Sequence, residues 1–212
     1  MSRPGIYAIL ALVVVISCLL EYWAARFLSS LPGSKQKRVV GCSLALCALP
    51  LALFRTSIVT SDCFVLLTAL VAGILLSRTV GSVGALVTML LVAAVVDFIS
   101  TQVGPSRWLV EQARQSRGVT VLRYLAVSIQ LRGKIIPIIG VGDLMFFTVC
   151  VTTLRRMGWT GTKAFAAPVA GLLSALGVGL WAGFTPALPF VAAAVLLSAG
   201  LSRTLSHEPC RS

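Results

Sequence analysis

The sequence predicts an all-α fold, a polytopic transmembrane helix bundle of about seven helices. Three observations carry this. Hydrophobic residues make up 58% of the chain and charged residues 11%, against roughly 25% charged in an ordinary soluble domain. Mean hydropathy is +0.97. The apolar residues fall in runs near the roughly 20 residues that a helix needs to cross a bilayer, and basic or turn-forming residues separate the runs. In a chain of 212 residues, such helices leave no room for a soluble domain beside them. The protein is expected to be an integral, multi-pass membrane protein.

The first run, residues 5–27, is long and lacks a small-residue cleavage site, so it reads as a retained helix rather than a signal peptide. A basic linker with Pro32 and Gly33 follows. The second run, 39–54, is short, and Arg55 separates it from the third, 58–77. Arg78 opens the fourth, 79–100; the fifth, sixth and seventh cover 135–154, 164–184 and 186–201. This divides the chain into an N-terminal group of helices (1–78), a membrane region that carries the chemistry (79–202) and a polar tail (203–212). The one long connection, 101–134, holds Arg107, Arg114, Arg117, Arg123, Arg132 and Lys134 against Glu111. Its first part suits an interfacial amphipathic helix. Residues 119–131 are rich in β-branched and aromatic side chains and suit a strand. Gly179 and Gly183 have GxxxG spacing, which suits close helix packing and permits oligomers without requiring them.

Charge excludes several classes. The balance is +12, from 18 Lys and Arg against 6 Asp and Glu. The basic residues flank apolar runs, as topology signals and contacts to membrane lipid headgroups do. No basic stretch is interleaved with aromatics, so nucleic acid is not an expected partner. The six cysteines, Cys18, Cys42, Cys47, Cys63, Cys150 and Cys210, contain no CxxC pair, and His207 is the only histidine. No zinc site or other metal or cofactor is expected. HExxH, P-loop and dinucleotide fingerprints are absent as well.

The acids carry the functional reading. An ionisable side chain in the hydrocarbon region is costly and marks function by default. Glu111 and Glu208 lie in polar segments, while Glu21 and Asp62 lie toward helix ends and are expected to reach headgroups. Asp97 and Asp143 sit within apolar runs with no basic residue within one turn. The fourth and fifth helices are consecutive and antiparallel, so they can be neighbours, and the predicted ends put the two acids roughly 6 and 12 Å inside one membrane face. The segment Thr185-Pro186-Ala187-Leu188-Pro189-Phe190 opens the seventh helix on that same side. Two facing carboxylates share a proton, and such a pair suits peptide hydrolysis. Gly140 and Gly142 leave room beside Asp143, and Pro186 and Pro189 lack amide donors, which suits an extended substrate.

These residues resemble a known family. Gly140-Val141-Gly142-Asp143 matches the GxGD motif of the presenilin and signal peptide peptidase group of intramembrane aspartyl proteases, and Pro186-Ala187-Leu188 its PAL motif, extended by Pro189. Asp97 closes the preceding helix, as in that group. The resemblance covers residues 79–202, a presenilin-like catalytic half. It implies an endopeptidase that cuts single-pass transmembrane proteins or remnant signal peptides, with Asp97 and Asp143 as catalytic pair and Gly140, Val141, Gly142, Pro186, Ala187, Leu188 and Pro189 shaping the site. The chain differs in having Val96 where the family has Tyr, and seven predicted helices where it has nine. Other readings use the same acids: an ion- or proton-coupled transporter, a presenilin-like protein that binds without cutting, a type IV prepilin peptidase (also GxGD, without PAL), or acids of purely structural origin.

Overall fold

The structure, a computed structural model, describes residues 3–30, 58–102, 125–131, 134–182 and 185–205. They form six helices and one hairpin: α1 (Arg3–Ser30), α2 (Ile58–Thr79), α3 (Val83–Gln102), β1 (Ala126–Leu131), β2 (Lys134–Gly140), α4 (Val141–Arg156), α5 (Gly161–Ala182) and α6 (Leu188–Leu205). The helical bundle agrees with expectation. The second predicted helix, residues 39–54, and the basic part of the long connection lie outside the described residues. Four spans are long and apolar enough to cross a membrane: Tyr7–Leu28, Ser61–Thr79, Val83–Thr101 and Gly161–Trp181. Together they make this a membrane protein.

Helix α4 is the central pillar. Phe147, Thr148, Val149, Cys150 and Val151 are all buried in succession, so the helix is covered on every side. It packs most extensively against α2, and also against α1 and α5. Gly73 makes the α2 contact possible, because a Cβ there would stand 2.7 Å from Thr148 Cβ and 2.8 Å from the Met145 carbonyl oxygen. Gly171 does the same between α5 and α6, where a Cβ would lie 2.5 Å from Val191 Cα. The expected GxxxG contact is weaker: at Gly179 a Cβ would meet only Thr185, at an ordinary 3.7 Å, and Gly183 lies outside the described residues.

The outer helices are two-faced. Along α1, Leu10, Val14, Cys18, Glu21, Ala25 and Leu28 are buried at helical spacing, while Leu12, Ile16, Leu20, Trp23 and Phe27 are exposed. The exposed face is as apolar as the buried one, as expected of a face covered by lipid. Helix α3 repeats the pattern, with Leu86, Leu90, Ala94 and Thr101 packed and Val92, Val95, Val96 and Ile99 outside. Its packed stripe lies mainly on α6. The turn from α4 to α5 passes through Gly158, whose φ of 88° is a left-handed value that suits glycine.

Two expectations need correction. The fifth predicted helix was to begin near residue 135, but residues 134–140 form strand β2, antiparallel to β1, and the helix starts at Val141. Pro137 and the β-branched Ile135, Ile136, Ile138 and Ile139 favour the extended form. Asp143 therefore sits in the first turn of α4, not about eight residues into a helix, so the ~12 Å depth from helical rise does not hold. Strand β1 does fall within the stretch expected to extend. The second correction concerns Glu21, which is 2% exposed in the bundle interior rather than turned toward headgroups.

Candidate active site

Three elements meet at one end of the bundle: the last turns of α3, the first turn of α4 and the start of α6. Asp97 falls on the packed stripe of α3, seven residues after Leu90 and four before Thr101. That phase turns it toward α6. The Leu188 N–H donates to Asp97 Oδ2 at 3.1 Å, and the Ala187 N–H faces the same carboxylate. These are amides at the start of a helix, which lack intrahelical acceptors. Pro189 follows at a position where a helix needs no amide donor. The PAL segment thus presents its free donors to Asp97, and the α6 helix begins directly behind it.

Asp143 is the third residue of α4. Its Oδ2 accepts the Gly140 N–H at 3.2 Å, folding the carboxylate back over the point where β2 becomes helix. A Cβ at Gly140 would stand 3.2 Å from that oxygen, so the glycine leaves the carboxylate its room. At Gly142 a Cβ would meet nothing within 4 Å, so the backbone beside the acid faces open space. Both acids are half-buried, and Asp143 lies within electrostatic reach of Asp97.

A cavity of ≈ 560 Å³ opens on this site, lined by Met89, Val92, Val96, Asp97, Phe146 and Leu188 among others. Val92 and Val96 are also exposed on the outer face of α3, so the cavity borders the lipid-facing surface. The lining is almost wholly apolar apart from Asp97 and Ser100. Among the described residues no group of three or more His, Cys, Asp or Glu could hold a metal ion.

The hairpin completes this end. β2 runs without a break into α4, and β1 packs on α2. Asp62, expected to reach headgroups, instead accepts the Ser128 N–H at 3.0 Å and ties β1 to α2. The register shifts between Val127 and Ser128, opposite Pro137, which has no N–H to offer.

The structure thus joins Ala187 and Leu188 to Asp97, and Gly140, Val141 and Gly142 to Asp143, with the two acids in electrostatic reach and Pro186 and Pro189 flanking. Sequence reasoning missed Met89 and Phe146 in the cavity wall and the Asp62 tie to the hairpin. A chain whose helices are apolar all round offers no signal for the first two. No protein-family description, curated protein or solved structure matches the chain.

Proposed function

We propose that the protein is an intramembrane aspartyl endopeptidase, in which Asp97 and Asp143 activate water against a peptide bond of a transmembrane segment. The observation that carries this reading is the bond from the Leu188 amide to Asp97, with Asp143 within electrostatic reach. Three separate sequence features, a lone acid in α3, GxGD and PAL, meet at one point. In the proposed reaction, the ionised member of the pair takes a proton from water as the oxygen attacks the carbonyl carbon. The protonated member donates to the carbonyl oxygen. The carboxyl that took water's proton gives it to the leaving amine as the C–N bond breaks, the other carboxylate recovers its proton from the hydroxyl that becomes the new carbonyl, and the pair titrates as a unit. The apolar cavity suits the side chains of a membrane-embedded substrate. The outer edge of β2, next to the open backbone at Gly142, suits a segment that has unwound and added as a strand.

One observation favours a second reading. Glu21 is an acid fully buried in the bundle interior, and carboxylates inside a bundle also serve ion- or proton-coupled transport. A single experiment separates the two. The purified protein in liposomes is given a single-pass substrate, with Asp143→Ala as control. Cleavage by the wild type alone supports the protease. No cleavage, with proton or ion flux that Asp143→Ala abolishes, supports transport instead.

A further inference from the structure

The Glu21 side chain has no part in the site described above. It lies within the span Tyr7–Leu28 and is 2% exposed. Its Oε2 accepts the Thr148 hydroxyl of α4 at 2.8 Å, and its Oε1 is buried with no partner. The basic residues whose side chains are described, Arg26, Arg78, Arg155, Arg156 and Lys163, are engaged by other groups or exposed. Arg26 stacks on Trp23 and Arg155 on Tyr22, Arg156 donates to the Ser77 and Val80 carbonyls, and Arg78 and Lys163 are exposed.

Next to Glu21 on α1 is Tyr22, whose ring carries Arg155. Cys18, one turn earlier on α1, is buried. Cys150 on α4 is also buried. The ionisable residues of the other helices packed on α1 are Asp62, Cys63 and Arg78 on α2 and Lys163 on α5, all near helix ends. Strand β2, which also touches α1, begins at Lys134.

A bare carboxylate in such surroundings would carry a large desolvation cost, and isolated buried groups neutralise instead. A metal ion is a poor neutraliser here, because hard cations want about six or more oxygen ligands and this pocket shows one carboxylate and one hydroxyl. A proton needs only the free oxygen. We propose that Glu21 is a proton-binding site in the bundle interior, with the proton on Oε1 and the Thr148 hydroxyl on Oε2. It is a further acid, held at the middle of α4 and separate from Asp97 and Asp143. The inference does not depend on peptide hydrolysis.

Infrared spectroscopy of the full chain in liposomes at neutral pH tests it. The wild type is expected to show a protonated-carboxyl C=O band that shifts in D₂O, and Glu21→Gln to lose part of its intensity. Thr148→Val is expected to keep that intensity but move the component to higher frequency, because one hydrogen bond to the carbonyl is gone. Full intensity in Glu21→Gln overturns the proposal. So does a band in Thr148→Val that does not move, which keeps the test decisive if the Gln variant fails to fold. Loss on adding sodium at fixed pH of the part of the band that Glu21→Gln lacks also overturns it, in favour of a metal ion.

Discussion

At the scale of the residue, Gly142 separates folding from the proposed chemistry. A Cβ there meets nothing within 4 Å, and alanine is favoured over glycine inside a helix by about 1 kcal/mol. Gly142→Ala should therefore leave the melting temperature unchanged or raise it slightly, while cleavage weakens as the methyl enters the open space beside Asp143. Melting and turnover measured on one preparation check this, and a lower melting temperature would count against the open backbone. Asp97→Asn and Asp143→Asn should each reduce cleavage to background with the helical circular-dichroism signal retained, since each replaces a carboxylate by a similar neutral group. Either variant cutting at the wild-type rate would remove that acid from the pair. Asp97 and Asp143 were legible in the sequence because they interrupt apolar runs. Glu21 was equally visible but was placed wrongly. The buried and lipid-facing sides of α1 are both apolar, so composition does not reveal which side an acid takes.

At the scale of the element, close approach and a single tie hold the pieces. Gly171→Ala should destabilise the α5–α6 pair by about 1–3 kcal/mol, the usual range for overpacking, because its Cβ would press on the Val191 backbone at 2.5 Å. Thermal unfolding reads this out, and an unchanged midpoint would show that the helices separate freely. Asp62→Ala removes the acceptor of the Ser128 amide, a loss of about 1–3 kcal/mol for a buried donor left unmet. Amide exchange should quicken across Ala126–Leu131 before it does in α4. Most helices were legible from hydropathy alone, to within a few residues at their ends. Strand β2 was not, since a short apolar run next to a helix has no period long enough to separate the two. Pro137 among four isoleucines was the available signal, and it speaks for extended backbone. The partners of Gly73 and Gly171 were illegible in principle, because they depend on which helices meet.

At the scale of the whole molecule, the apolar outer faces of α1 and α3 suit a bilayer. The protein should stay in the membrane pellet after alkaline carbonate washing and enter solution only with detergent, and release by carbonate would contradict an integral bundle. Within that bundle α4 has 16 residues, or about 24 Å of helix, less than the roughly 30 Å of hydrocarbon in a typical bilayer. It is not among the four spans long and apolar enough to cross a membrane. Because β2 becomes α4 with no intervening loop, force on the strand is transmitted directly to the turn that carries Asp143. A peptide that lengthens the sheet would straighten this lever and one that remains coiled would leave it slack. Discrimination among substrates would then appear in the speed of the bond-breaking step rather than in how tightly they are held.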